Sequence, residues 1–201
     1  SSIATYTKKV RVNVMIYSNI YKQMLSYLEK IDYDAKLLDI YIYTDSLNDT
    51  LLFGASRSAS GGERLNSVAK AKEFDVGPNK YNVIHLSELD AYNQVYSYYN
   101  DYDYVWFLKS DYVISESSLL KDCIFLGKTI SSGLIRKNND LLSNFWGNLD
   151  KNGYYKRSTD YIDILNRNVI NVWNVPYITG NILFQSKLFR HQNQNSVSHH
   201  H

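Results

Sequence analysis

The fold of this chain is decided by the stretch Tyr104-Val105-Trp106-Phe107-Leu108-Lys109-Ser110-Asp111. Its first five residues are aromatic, aliphatic or β-branched with no polar alternation, which is typical of a strand buried on both faces at the centre of a parallel sheet. Ligands of such sheets bind outside the carboxyl ends of the strands. The sequence therefore predicts a ligand site at Lys109, Ser110 and Asp111.

Strands and helices alternate on the amino-terminal side of this stretch. Residues 10–17 and 38–43 are rich in β-branched and aromatic residues, and residues 21–31 between them carry apolar residues at helical spacing. A strand, a helix and a strand in this order favour parallel pairing with a right-handed crossover. Further strands are predicted over residues 83–86, 129–135, 169–175 and 178–184, and a loop is predicted over residues 54–62. Helices are predicted over residues 63–74, 88–99 and 116–126, the second of them capped by Ser87. We therefore predict an α/β fold with a mostly parallel sheet flanked by helices.

Length and composition limit the classes of protein to which the chain can belong. It has 201 residues and a net charge of +2, and this balance disfavours a dedicated nucleic-acid binder. We expect no membrane span, because no stretch approaches the roughly 18 apolar residues required, and no signal peptide is visible in the sequence. We predict one domain over residues 1–190, with 191–201 as a tail whose three histidines resemble a purification tag. Cys123 lies in an apolar helical pattern and is expected to be a buried structural thiol.

The residues after the central strand resemble half of a metal site. Sugar-nucleotide transferases commonly place an Asp-x-Asp pair at this position, because carboxylates hold the divalent cation that offsets the charge of a diphosphate. Here Lys109 stands in place of the first carboxylate, and Asp111 is the single candidate metal ligand. Three alternatives follow: the site binds no metal, Lys109 itself contacts the diphosphate as a built-in cation, or Asp111 suffices with help from elsewhere. Mn²⁺ is therefore doubtful as a cofactor.

Other candidate metal ligands are less well placed. Asp101, Tyr102 and Asp103 also spell Asp-x-Asp, but they precede the central strand, so we expect them at the opposite edge of the sheet. His85 and His191 have no partner at metal-ligand spacing, so no zinc site is predicted.

The stretch from residue 142 to 176 carries a resemblance to a known family. It contains Ser143-Asn144-Phe145-Trp146-Gly147, Gly153-Tyr154-Tyr155-Lys156-Arg157-Ser158, Asp160-Tyr161 and Val172-Trp173-Asn174-Val175-Pro176-Tyr177. This series resembles the glycosyltransferase-like segment of the procollagen lysyl hydroxylases and is similar, less closely, to the collagen β-galactosyltransferases. Weaker similarity extends over residues 10–184.

The resemblance implies a GT-A-like fold, UDP-glucose or UDP-galactose as donor, and hydroxylysine on a collagen-like polypeptide as acceptor. It implies the lumen of the endoplasmic reticulum, or a host-cell context for a viral or divergent member. The implied donor-binding residues are Lys109, Asp111, Asn144, Trp146, Tyr155, Arg157 and Asn174. Phe145 and Trp173 are expected to be mainly structural. For Asn144, Tyr155, Arg157 and Asn174, ordering of the loop is the alternative to a binding role. For Arg157 the further alternative is a local salt bridge with Asp160, which contributes little if exposed.

The activity of the domain stays open between alternatives. In the lysyl hydroxylases the most similar segment is an accessory domain, so this chain is expected to be a degenerate module beside a partner glycosyltransferase or hydroxylase domain, or within a homodimer. Lys109 and the end of the chain soon after Phe184 favour this interpretation. The alternative is an active UDP-sugar-dependent glucosyltransferase acting on galactosylhydroxylysine. A third is a carbohydrate-binding surface made by the 19 tyrosines.

Overall fold

The structure is a computed structural model that describes residues 6–45, 63–66, 69–76, 79–95, 100–134, 145–146, 148–159, 161–166, 177–178 and 180–189. The helices among them are α1 (Lys22–Leu28), α2 (Glu88–Val95), α3 (Leu119–Leu126) and α4 (Tyr161–Leu165), with a 3-10 turn at Ala35–Leu37. The longer strands are β1 (Val10–Met15), β2 (Leu38–Thr44), β3 (Glu63–Asn66), β4 (Ala69–Val76), β5 (Asn79–His85), β6 (Tyr104–Lys109) and β12 (Asn181–Gln185). The two-residue strands are β7 (Ile130–Ser131), β8 (Phe145–Trp146), β9 (Asn148–Leu149), β10 (Tyr155–Lys156) and β11 (Tyr177–Ile178).

Eight of these described strands form one sheet in the order β3-β4-β5-β2-β1-β6-β12-β7. The four strands β5, β2, β1 and β6 lie side by side and are all parallel. Strands β4 and β12 join the two sides of this parallel group in antiparallel orientation. The prediction of an α/β fold with a mostly parallel sheet is confirmed. The two middle strands are β2 and β1, and β6, which the sequence predicted at the centre of the parallel sheet, is the outer strand of the parallel group, between β1 and the antiparallel β12.

Side-chain alternation along the central strands builds a core on each face of the sheet. Val12 and Trp106 are neighbours in register and pack on the face covered by α1 and α3, where Tyr27 meets the Trp106 ring edge-on at 6.4 Å between centroids. Met15 and Tyr43 lie on the other face and pack with the residues of α2. Because both faces are covered, β1 is buried along its whole length, as the parallel sheet requires.

The helix predicted over residues 63–74 is wrong. This segment forms β3 and β4, and β4 continues into an antiparallel ladder with β5 in which Ala71 pairs with Ile84 and Phe74 with Tyr81. Backbone pairing with a strand already held in the parallel sheet outweighs the local helical spacing, since secondary-structure propensity is weaker than tertiary context.

The remaining boundaries differ less from expectation. The strand predicted over 129–135 is reduced to Ile130–Ser131, and the last strand begins at Asn181 rather than at residue 178. The Ser87 cap is confirmed, because its Oγ accepts a hydrogen bond from the Asp90 amide at 3.2 Å. Cys123 is buried as predicted, and burial raises the pKa of its thiol. The loop predicted over 54–62, the strand over 169–175 and the helix end at 96–99 lie outside the described residues.

No helix within the described ranges combines the length and the apolar character needed to cross a membrane.

Candidate functional site

The ends of the parallel strands form a single edge, which we call the carboxyl edge: residues 15–17 after β1, 44–45 after β2, 85–87 after β5 and 109–112 after β6. The β6 end is fixed to both of its neighbours by backbone hydrogen bonds. Lys109 donates its amide to the Gly180 carbonyl at 2.8 Å, and Ser110 donates to the Met15 carbonyl at 3.0 Å. The loop that the sequence predicted as a ligand site is therefore held on a rigid framework.

Lys109 and Asp111 lie at this edge as expected from the sequence. Both side chains are partly exposed, whereas Ser110 between them is only 3% exposed. Among the described residues, the Lys109 ammonium group forms no ion pair or hydrogen bond, and Asp111 Oδ1 is buried without a hydrogen-bond partner. The Lys109 ammonium group and the Asp111 carboxylate thus belong to residues two positions apart but form no salt bridge with each other.

A glycine directly before β12 shapes the base of this loop. Gly180 has φ +85°, and its Cα faces the ring of Tyr112 so closely that an added Cβ would lie 2.6 Å from two ring carbons. Glycine alone tolerates both the backbone conformation and the contact. The Tyr112 ring therefore fixes the β6 loop against the start of β12.

Tyr17 follows β1 at the carboxyl edge and was not among the residues selected from the sequence. Its hydroxyl donates a hydrogen bond to the Leu86 carbonyl at 3.0 Å, so the side chain reaches from the end of β1 to the end of β5. Burial, and then the negative charges of Asp45 and Glu88, raise the pKa of Tyr17 above its ordinary value. Its position directly after a central parallel strand was the signal that would have identified it.

Buried tyrosines make the fold sensitive to alkali. Burial raises the pKa values of Tyr17 and Tyr27 above the ordinary 10.0, and raises the pKa of Tyr33 to about 12. A group that holds its proton more tightly in the folded state contributes stability below its unfolded pKa and loses it as the pH rises through the folded one. We expect the free energy of unfolding to fall above about pH 10, measured by urea unfolding at a series of pH values.

The variant Tyr17→Phe serves as the control for this pH dependence. It removes one raised group, so its free energy of unfolding should fall less steeply above the same pH, although it is lower at neutral pH by about 1 kcal/mol because the Leu86 carbonyl loses its partner. Titration of all tyrosines near their ordinary pKa, followed by absorbance of tyrosinate while the native structure persists, would contradict the prediction.

Trp146 lies in β8, which pairs antiparallel with β11 so that Trp146 is opposite Tyr177. Ile178, at the end of β11, is only two residues before Gly180. Because consecutive Cα atoms are about 3.8 Å apart, the Ile178 Cα lies within about 8 Å of the Gly180 Cα, which is at the carboxyl edge. The end of β11 thus lies near the carboxyl edge, and β8 is joined to β11 through this pairing. Asn144, Asn174, Trp173 and the side chain of Trp146 lie outside the described residues.

Tyr155 and Arg157 belong to a different part of the structure. Tyr155 is in the exposed hairpin of β9 and β10, and the Arg157 guanidinium lies 5.6 Å from the centre of the Tyr161 ring. Tyr161 packs against Phe145 at 5.3 Å between ring centroids, in a small core with residues of α4. Phe145 is thus structural, as expected, while the proposed salt bridge of Arg157 with Asp160 lies outside the described residues. Tyr155 lies in the two-stranded sheet of β9 and β10, and Arg157 follows β10 and is linked through Tyr161 to Phe145 of β8. Neither residue belongs to the eight-stranded sheet whose carboxyl edge carries Lys109 and Asp111.

The second Asp-x-Asp sequence lies at the opposite edge of the sheet, as predicted. Asp103 accepts a hydrogen bond from the Lys9 amide just before β1, and the Tyr102 hydroxyl donates to Asp39 Oδ2 at 2.6 Å near the start of β2. These contacts anchor the amino ends of the strands, so this segment has a structural explanation.

The residues of the carboxyl edge do not fit a divalent metal. Among the described residues, no three His, Cys, Asp or Glu side chains are grouped to hold one. The β6 end offers the single carboxylate of Asp111, whereas hard cations such as Mg²⁺ and Mn²⁺ are bound by several oxygen ligands. Lys109 adds a positive charge where a second carboxylate would be needed.

One protein family and several known proteins are similar to this chain in sequence. Residues 65–199 match the profile of the family described as glycosyltransferase family 25, N-terminal domain. A procollagen lysyl hydroxylase and glycosyltransferase of Acanthamoeba polyphaga mimivirus is 38% identical over 87 residues, which are 43% of this chain and 10% of that protein. A procollagen-lysine,2-oxoglutarate 5-dioxygenase of Drosophila melanogaster is 26% identical over 171 residues, which are 84% of this chain and 22% of that protein. The chain thus spans less than a quarter of the length of these curated relatives, and the family resemblance seen in the sequence is confirmed.

Solved structures show the same architecture. A mannosyltransferase from Pyrobaculum calidifontis, in complex with GDP-mannose and Mn²⁺, superposes with a TM-score of 0.53 over 94% of this chain and 47% of that chain at 12% identity. Staphylococcus aureus TarS superposes with a TM-score of 0.50 over 92% of this chain and 49% of that chain, also at 12% identity. At this identity the likeness concerns the fold alone, and it confirms the GT-A-like prediction.

Proposed function

Because this chain belongs to the glycosyltransferase family 25 N-terminal domain family, we propose that it serves as an accessory domain of a collagen-modifying protein and does not itself transfer sugar. It is a glycosyltransferase-like domain related to the procollagen lysyl hydroxylase and glycosyltransferase proteins. In this proposal it adjoins a partner glycosyltransferase or hydroxylase domain that acts on hydroxylysine of a collagen-like polypeptide. Residues 1–190 form one domain that presents a surface to that partner.

The observation that supports this proposal is Lys109 at the end of β6. A metal-dependent transferase concentrates negative charge at this point, so that the cation can stabilise the departing diphosphate. Lys109 places a positive charge where a metal-dependent transferase has the first of its two carboxylates. The hydrogen bond from its backbone amide to the Gly180 carbonyl holds the residue at this position. A like charge so near the expected cation opposes metal binding. Since one fold can host many functions, the chemistry of the site is weighted above the fold.

An active UDP-sugar-dependent transferase is the second candidate, and one observation favours it. Asp111 Oδ1 is buried without a hydrogen-bond partner among the described residues, and such an unsatisfied oxygen is suited to a bound ligand. In this alternative Lys109, Asp111, Asn144, Trp146, Tyr155, Arg157 and Asn174 bind the UDP-glucose or UDP-galactose donor. Asp111 would then hold Mn²⁺ together with oxygen ligands from the donor.

A charge-reversal variant tests the proposed function. We expect neither the wild-type chain nor Lys109→Asp to transfer sugar from UDP-glucose to a galactosylhydroxylysine peptide, with or without Mn²⁺. We expect Lys109→Asp to bind Mn²⁺ about tenfold more tightly than wild type in calorimetry, because a second carboxylate replaces a repelling ammonium group. Lys128→Asp makes the same charge change on an exposed residue after α3 and is the matched control.

Sugar transfer by the wild-type chain would contradict the accessory role and favour the second candidate. Transfer by Lys109→Asp alone would attribute the inactivity of the wild-type chain to Lys109. An equal gain in Mn²⁺ affinity in Lys109→Asp and Lys128→Asp would show that the effect of the charge at residue 109 is not local.

A further inference from the structure

The two charged groups at the end of β6 are not satisfied by each other. Lys109 and Asp111 are two residues apart, yet the ammonium group forms no ion pair and Asp111 Oδ1 no hydrogen bond among the described residues. Both side chains are partly exposed, so the Lys109 ammonium group and the Asp111 carboxylate can meet a third group, although Asp111 Oδ1 itself is buried.

The backbone that carries them is fixed before any ligand arrives. The amides of Lys109, Ser110 and Tyr112 are all engaged, with the carbonyls of Gly180, Met15 and Lys109 respectively. The Tyr112 ring is packed onto Gly180, and Ser110 is buried. A ligand that binds there therefore spends little of its binding free energy on ordering the loop.

The two groups match complementary parts of one class of ligand. A lysine ammonium is a compact cation with three donors that binds phosphate as a point charge. A carboxylate with a free oxygen accepts a hydrogen bond from a hydroxyl group. Nucleoside diphosphates carry both features, since their phosphates are anionic and their ribose has hydroxyl groups.

We propose that the carboxyl edge binds a nucleoside diphosphate without a divalent metal, with Lys109 Nζ supplying the positive charge and Asp111 accepting a hydrogen bond from a hydroxyl group of the ligand. This inference deepens the proposed accessory role, on which it rests, by assigning a ligand to a domain that does not transfer sugar. It follows from the poor fit of the site to a metal, since Lys109 adds a positive charge two residues from the single carboxylate of Asp111.

Calorimetric titration with UDP, in EDTA and then in Mn²⁺, measures the metal dependence directly. We expect the two dissociation constants to agree within about twofold, because the countercharge is part of the chain. Lys109→Met should weaken UDP binding by about tenfold or more, since it removes a charge-assisted hydrogen bond. Lys109→Arg keeps the charge and should stay within about threefold of wild type. Lys128→Met removes an exposed lysine elsewhere and should bind as wild type does.

The variant Asp111→Asn distinguishes the two types of site by the sign of its effect. In a metal-free site the amide oxygen still accepts the hydroxyl and one negative charge near the phosphates is removed, so UDP should bind at least as tightly in EDTA. In a metal-dependent site the same change removes a ligand of the cation and weakens binding in Mn²⁺. Circular dichroism of each variant confirms that the fold is retained.

Binding of UDP only in the presence of Mn²⁺ would overturn the inference, as would Lys109→Met binding UDP like wild type, or no UDP binding in either condition. These outcomes leave the accessory role standing, because that role fails only through sugar transfer. Transfer of sugar by the chain would overturn the accessory role. In that case the dissociation constants of UDP in EDTA and in Mn²⁺ would still show whether the site depends on a metal.

Discussion

Replacing Gly180 by alanine is expected to lower the free energy of unfolding by about 2–5 kcal/mol, the sum of backbone strain and overpacking. The residue has φ +85°, which non-glycine residues adopt at a cost, and the new Cβ would lie 2.6 Å from carbons of the Tyr112 ring. The ring cannot move without disturbing the loop that carries Lys109. Chemical denaturation of the variant measures the loss.

Gly153 provides a matched control for the backbone strain. Its φ is +83°, almost that of Gly180, but an added Cβ would meet no heavy atom within 4 Å. Gly153→Ala should therefore cost only the strain, about 1–2 kcal/mol. In the double variant Gly180→Ala with Tyr112→Ala, the second change should cost less than it does alone, because it relieves the clash. Equal losses in the two glycine variants would show that the Tyr112 contact contributes nothing.

Replacing Trp106 by alanine is expected to lower the free energy of unfolding by about 3–5 kcal/mol, which is typical of removing a buried aromatic side chain. Trp106 is 1% exposed in β6, and its ring contacts Tyr27 of α1 edge-on. The substitution leaves a cavity between the sheet and the helices that cover it. The loss is measured from the shift of the urea unfolding midpoint at unchanged slope.

Phe125→Ala is the control for Trp106→Ala. Phe125 is also aromatic but is 73% exposed near the end of α3, so its removal should change stability by no more than about 0.5 kcal/mol. A loss below about 1 kcal/mol for Trp106→Ala would mean that β6 does not lie at the centre of the core. Such a result would also weaken the assignment of the ligand site to the end of this strand.

The packed residues and the charged residues of the carboxyl edge are expected to contribute to different properties of the domain. Gly180, Tyr112 and Trp106 are expected to act on stability, because they are packed and carry no charge. Lys109 and Asp111 are partly exposed and make no packing contact of comparable size, so their variants are expected to act on ligand binding. A domain can thus retain the GT-A-like framework while the charge at one position changes what it binds.

Much of the fold could be predicted because its strands are locally distinctive. The apolar run of β6 and the β-branched residues of β1 identify buried parallel strands, and the predicted ligand site at their carboxyl ends follows from topology alone. The edge strands β3 and β4 could not be recognised in this way. Their strand form comes from pairing with β5, a contact between segments whose local sequence favoured a helix.

The sequence by itself determined the α/β class, the family and the positions of Lys109 and Asp111 after the strand β6. The reason is that hydrophobic patterns and rare aromatic motifs can be recognised from the order of the residues alone. Only the tertiary structure decided that Tyr17 reaches across to Leu86, that Gly180 supports the Tyr112 ring, and that Asp111 Oδ1 has no partner among the described residues. These are contacts between residues far apart in the chain, or the lack of such contacts. No local pattern encodes them, since each depends on the distance between strands that meet only when the sheet is assembled.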